Sequence, residues 1–315
     1  MSRVFGPTRN RNSSHAGPRL MLRLALGGCL LALCGCAAFS RNTAEHQKVV
    51  NGRLLTQQGV DALQRGDLER AESLLAKAKK SCPVDVHTRS QYAEALHQKG
   101  DVDGAIAEMQ QAIRISGDDP GLMVRLGRIY YQAGRLPEAD QQAQQAIAKY
   151  PRYAPAWLLA GDLAERKSDW QDAEACYLRC ASYAEDLPPV HIRLARTQRN
   201  LSQPDRSLAS LTRAERAYPQ GEAPVELLVE QGLTCQAAGR NEAACEYLIA
   251  AMEKGAPSPE LMSRLAQCEL AAGRIARAEW ALRQTLSMDP QNVRGREIAA
   301  QIPLARQRME QTLQR

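Results

Sequence analysis

Aromatic residues are scarce in this chain of 315 residues, at 4%, with only two Phe and three Trp. A single large α/β core would need more bulk than that, so one is excluded. Acidic residues are missing from residues 1–35, which carry Arg3, Arg9, Arg11, Arg19 and Arg23. Most of the formal net charge of +6 sits in that leader, and with its five arginines set aside the remainder carries +1. Such a balance gives no footing for nucleic acid. Catalytic signatures are absent as well: there is no HExxH, no Gly-rich phosphate loop ending in Lys-Ser/Thr, no GxSxG and no GxGxxG. The expectation is a chain that is not an enzyme, takes no cofactor or metal and has no small-molecule substrate.

Alanine takes the place of the missing bulk, at 49 residues. With 44% hydrophobic and 24% charged residues, disorder throughout is excluded. The composition points to an all-α protein of many closely packed helices.

The basic leader runs into Leu24–Gly35, an apolar stretch of twelve residues followed by Cys36. That length suits a signal-peptide core and falls short of the ~20 residues of a spanning helix. Met21 is an alternative start. Leu33-Cys34-Gly35-Cys36 resembles the lipobox of bacterial lipoproteins, with Leu at −3, a small residue at −1 and the Cys that the motif requires. The resemblance implies a signal peptide over 1–35, a diacylated Cys36 and a tether over 36–51. Two acyl chains suffice for stable anchoring. An ordinary cleaved signal peptide or an uncleaved short anchor is the competing reading. Residues 37–39, Ala-Ala-Phe, lack the Asp of the enteric inner-membrane retention rule. The expected location is the outer membrane facing the periplasm, with the inner membrane as the alternative.

A period of 34 residues runs through the rest of the chain. It divides 52–292 into seven copies: 52–85, 86–119, 120–153, 154–187, 188–221, 225–258 and 259–292. Place 8 reads Gly59, Ala93, Gly127, Gly161, Ala195, Gly232, Ala266, and place 20 reads Ala71, Ala105, Ala139, Ala173, Ser207, Ala244, Ala278. Place 27 is Ala in five of the seven copies, with Cys180 and Thr285 in the others, and Pro83, Pro151, Pro219 and Pro290 hold place 32. Small residues at places 8 and 20 let two antiparallel helices approach, and large apolar residues such as Leu75, Tyr177 and Leu248 at place 24 fill the space beside them. Gly66, Gly100, Gly134, Gly239 and Gly273 at place 15 suit a left-handed inter-helix turn. In this register the chain resembles the tetratricopeptide-repeat family. The resemblance implies a right-handed solenoid of seven helix hairpins, because a lone hairpin cannot bury its apolar faces. Residues 293–315 are expected to form a capping helix kinked at Pro303, with Ile298, Ile302, Ala305, Met309 and Leu313 as its apolar face.

Of the five His, only His87, His97 and His191 lie in the repeats, on separate faces or hairpins, which argues against a metal site. Cys176 and Cys180 are four apart on one helix, too far for a bridge, and read as packing residues. Cys235 and Cys268 fall on adjacent first helices and are the one pair worth testing for a bridge, although the expected state is unpaired packing residues.

In the tetratricopeptide-repeat family the first helix of each hairpin lines a concave groove, through places 2, 5, 6, 9, 12 and 13. The resemblance thereby assigns to a partner groove Arg125, Arg128, Tyr131, Asp162, Glu165, Arg166, Arg193, Arg196 and Arg199, with Leu233 and Leu270 at a smoother apolar end. Arginines can grip carboxylates bidentately, so an acidic and apolar peptide would fit. The plain alternative is that they solvate an exposed helix face. Two better-defined family grooves are not matched. The chaperone-binding type needs Lys and Asn at places 5 and 9, where the first repeat has Thr56 and Val60, and the sugar-transferase type needs an Asn ladder at place 6.

The expected function is a non-catalytic, lipid-anchored periplasmic scaffold that binds a protein or peptide partner, similar to the pilotin-type and other envelope repeat lipoproteins. The rival is a partner-recognition subunit of an envelope enzyme, such as a peptidoglycan hydrolase or glycosyltransferase.

Overall fold

The structure is a computed structural model that describes residues 46–184, 187–219 and 221–313. The leader, Cys36 and most of the tether lie outside the described residues. Those residues form fifteen α-helices and no strand, as an alanine-rich chain with 34-residue punctuation should. The chain divides into two compact units at residues 101 and 102, within the turn of the second repeat.

The first unit contains α1 (46–64), α2 (Leu68–Ser81) and α3 (Val86–Lys99). Asp67 caps α2 by accepting a hydrogen bond from the Arg70 amide, and Asp85 caps α3 through the amides of His87 and Thr88. Gly59 of α1 receives Leu75 of α2 so closely that a Cβ there would lie 2.6 Å from the leucine Cγ. Thr56 and Thr88 share a buried hydroxyl–hydroxyl hydrogen bond of 2.7 Å.

The second unit begins with α4 (Val102–Ser116) and continues in hairpins: α5 (Pro120–Gln132) with α6 (Leu136–Lys149), α7 (Ala154–Arg166) with α8 (Trp170–Tyr183), and α9 (Pro188–Asn200) with α10 (Pro204–Glu215). They are followed by α11 (Val225–Ala237) with α12 (Asn241–Lys254), α13 (Pro259–Ala271) with α14 (Ile275–Met288), and α15 (Val293–Leu313). Proline opens α5, α9, α10 and α13, where its missing amide costs nothing. Place 20 is completely buried throughout this unit, at Ala105, Ala139, Ala173, Ser207, Ala244 and Ala278. In the α9–α10 hairpin the approach is tight enough for the Ser207 hydroxyl to donate to the Ala195 carbonyl across the helices, at 2.8 Å.

Glycine at place 15 adopts the left-handed conformation in all five repeats that have it, with φ between 72° and 95°. The other two repeats reach the same conformation without glycine, at Ser168 (φ 60°) and Ser202 (φ 58°). The turn geometry is therefore imposed by the packing of the hairpin, and serine carries the strain.

The last helix departs from expectation in part. Ile298 and Ile302 pack into the core of repeats six and seven, beside Leu248, Leu265 and Leu282. Met309 is exposed, so the apolar seam does not reach it. Ile302 is the last residue of α15 in that core. The helix continues through Pro303.

Candidate partner-binding face

Within the second unit the first helices approach one another: α5 touches α7, α9 touches α11 and α13 touches α15. The second helices of successive hairpins make no comparable contacts among the described residues. That asymmetry curves the stack and puts the first helices on its inner face.

The predicted groove residues on α7, α9 and α11 are brought together, but chiefly with each other. Asp162 binds Arg193 at 2.8 Å. Arg196 reaches Glu165 at 3.6 Å, Glu226 at 3.0 Å and Glu230 at 2.8 Å, and Arg199 reaches Glu230 at 3.1 Å. Three of these bridges, Asp162–Arg193, Glu165–Arg196 and Arg199–Glu230, join residues 31 apart in sequence, three short of one repeat. The arginines read as grips for a ligand thus already hold carboxylates of the neighbouring hairpins. Glu230 stands at place 6, a groove place, but was not among the residues assigned to the partner; it is buried and takes two arginines. The recurring opposite charge at that separation was the signal that could have found it.

Electrostatics follow from this layout. Burial pushes the Asp162 carboxyl up, against the pull of Arg193 and a hydrogen bond from Tyr177. For Arg196 burial works against the charge, but Glu230, Glu165 and Glu226 outweigh it and hold the guanidinium above its ordinary value. Tyr177 is fully buried on α8, and its hydroxyl emerges between two carboxylates, 2.9 Å from Asp162 Oδ1 and 2.7 Å from Glu165 Oε2. Burial, Asp162 and Glu165 all raise its pKa, so it stays a donor.

The remaining predicted residues fall into three situations. Arg128 is exposed on α5, and Arg125 is half-buried. Arg166 stacks on Tyr131, its guanidinium carbon 5.1 Å from the ring centroid. Leu233 is buried, which takes it out of a ligand's reach. Leu270 is partly buried and lines a cavity of about 640 Å³ with Gln236, Gln267, Gln301, Leu304 and Arg308. The capping helix α15 supplies three of those residues, a contribution to the inner face that the sequence reading did not include.

All six cysteines among the described residues are free, and Cys235, Cys245 and Cys268 share one buried core. Burial pushes Cys268 up to about 12 and Cys176 and Cys180 up to about 11, the behaviour of packing residues.

Models of the tetratricopeptide repeat match residues 56–120, 96–163 and 229–293, together more than half of the chain. This chain is a member of the tetratricopeptide-repeat family. Its fold is similar to that of pilF from Pseudomonas aeruginosa, with a TM-score of 0.59 at 16% identity, over 70% of this chain and 99% of that one. PilW, described as a widely conserved type IV pilus biogenesis factor, gives 0.59 at 22% identity over 68% and 98%. YrrB, a repeat protein with an unusual peptide-binding site, gives 0.53 at 15% over 61% and 97%. A relative by sequence is the protein O-mannosyl-transferase Tmtc3 of Drosophila melanogaster, 30% identical over 113 residues. The match spans 31% of this chain and only 12% of that protein.

Proposed function

We propose that this repeat protein is a non-catalytic scaffold held on the outer membrane by an acylated Cys36, facing the periplasm, and that a protein partner binds the inner face of its second unit. The observation that carries the reading is the alignment of α5, α7, α9, α11 and α13 along one face, with Arg128, Tyr131 and Arg166 at one end and the amide-lined cavity at the other. The lipobox-like Leu33–Cys36 supports the anchor, and the fold shared with pilF and PilW supports a role in pilus or envelope-complex assembly. A photo-crosslinking residue at position 128 should trap one partner in the native envelope, whereas one at position 213 on the outer helix α10 should not. Equal capture from both positions refutes the groove. A fatty-acid analogue that fails to label the protein, or labels a Cys36→Ala variant equally, refutes the anchor.

A further inference from the structure

The geometry points to a carboxylate receptor on the inner face of repeats five to seven, built from Arg199, Arg264 and Arg294 and filled by acidic side chains of an extended peptide. This deepens the partner-binding reading above and rests on it.

Arg199, Arg264 and Arg294 face two carboxylates here, Glu230 and Glu260, and Glu230 is shared with Arg196. Arg196 takes Glu226 and one oxygen of Glu230. Arg199 has the other Glu230 oxygen, and its Nε is buried without an acceptor. Arg264 of α13 and Arg294 of α15 both converge on Oε1 of Glu260, Arg264 through Nε at 2.8 Å and Nη2 at 2.7 Å, Arg294 through Nη1 at 2.6 Å. Two guanidinium groups with five N–H donors each thus lean on one oxygen. The field around them remains positive. Burial and the charges of Arg294 and Arg199 hold the Arg264 guanidinium below its ordinary value, despite the adjacent Glu260. An incoming carboxylate would relieve that repulsion and make bidentate bonds. Glu260 is over half exposed and occupies the place such a ligand would take.

The surroundings favour a peptide over a small inorganic anion. Gln267 follows Arg264 by one helical turn and lines the cavity that also holds Gln236, Gln301, Leu270 and Leu304. Side-chain amides there can serve both N–H and C=O groups of an extended backbone, and the leucines can take an apolar side chain. Phosphate would use neither.

The probe is a fluorescein-labelled octapeptide of alternating Glu and Leu, compared by anisotropy with its Gln-for-Glu counterpart on the purified chain. The acidic peptide should bind about tenfold tighter or better, as expected for charged hydrogen bonds. Arg264→Gln with Arg294→Gln should abolish the preference, and Arg294→Lys, which keeps the charge but not the fork, should reduce it with folding intact. Glu260→Gln should strengthen binding several-fold by removing the internal competitor. Arg213→Gln with Arg283→Gln, and Glu253→Gln, on second helices, should change nothing. Equal effects from the two sets would overturn the receptor in favour of net charge. No preference in the native chain, or displacement by phosphate at a tenth of the concentration needed with acetate, would also overturn it. Loss of the peptide preference with persisting crosslinks from position 128 removes this receptor alone, whereas absence of those crosslinks removes the partner reading with it.

Discussion

Gly161 and Tyr177 fit together so closely that a Cβ on the glycine would lie 2.4 Å from Cε1 of the tyrosine ring. The same ring carries its hydroxyl to Asp162 and Glu165 on the inner face. Core packing and the groove's charge pattern therefore meet in one side chain. A tyrosine ring has no flexible end to swing aside, so Gly161→Ala must move the ring or the helix, at a cost of about 1–3 kcal/mol. Because stability in a stack of repeats passes between neighbours, the thermal transition should drop or broaden for the whole unit. Melting followed by circular dichroism tests this, and an unchanged transition would contradict the close contact.

The strained turns predict the opposite sign. Ser202 is exposed and left-handed, and its amide completes the turn by donating to the Arg199 carbonyl. Ser202→Gly removes the steric penalty, offset in part by the extra freedom of glycine in the unfolded chain, for a net gain of about 0.5–1 kcal/mol. Ser202→Ala, which keeps a Cβ, should give no such gain in denaturant unfolding.

Much of this fold can be read from single letters. Places 8, 15 and 20 are set by steric exclusion, and steric exclusion leaves a residue type behind: Gly161 under a ring, Gly239 at positive φ, Ala173 between two helices. The groove was less legible. Arg196 in sequence is an arginine at an exposed helical place, and the same letter describes Arg128, which is exposed. What separates them is which acids the next hairpin brings, and α11 brings both Glu226 and Glu230 to Arg196. Met309 was misjudged for a related reason, since periodicity describes a helix face without saying whether anything lies opposite.

Acid should act on the two inner-face carboxylates in opposite directions. For Glu260 burial is outweighed by Arg294 and Arg264, and the folded pKa lies below its ordinary 4.5. Its contribution is full above that ordinary value and is lost as pH falls through the lowered one. Asp162 is raised above its ordinary 3.8, so its folded form takes up a proton first and gains relative stability as pH falls toward 4. Unfolding measured between about pH 6 and 3 should show Glu260→Gln losing less stability than the native chain and Asp162→Asn losing more. In Tyr177→Phe, loss of the hydrogen bond should move the Asp162 carboxyl resonance titration further upward; a downward move would contradict the assignment of that bond.

Arg196 and Arg128 give the sharpest contrast. Both occupy place 9, and from sequence alone charge reversal at either should leave folding almost unchanged. The structure corrects that expectation for Arg196, which bridges carboxylates of the two neighbouring hairpins, including the buried Glu230. Arg196→Glu removes the principal counter-charge of a buried carboxylate and adds a third acid beside Glu226 and Glu230. Breaking one side of a buried pair costs about 3–5 kcal/mol, and the partial exposure of Arg196 places this one near the low end, at about 3 kcal/mol. Arg128→Glu, on an exposed side chain, should stay within about 0.5 kcal/mol of the native chain. Arg196→Glu with Glu230→Arg should recover part of the loss if the pair itself is responsible. Denaturant unfolding of the four proteins decides the matter. Equal stability of the two single reversals would mean that the bridges between hairpins do not hold the stack, and that the arginines of this face are available to a ligand without competition.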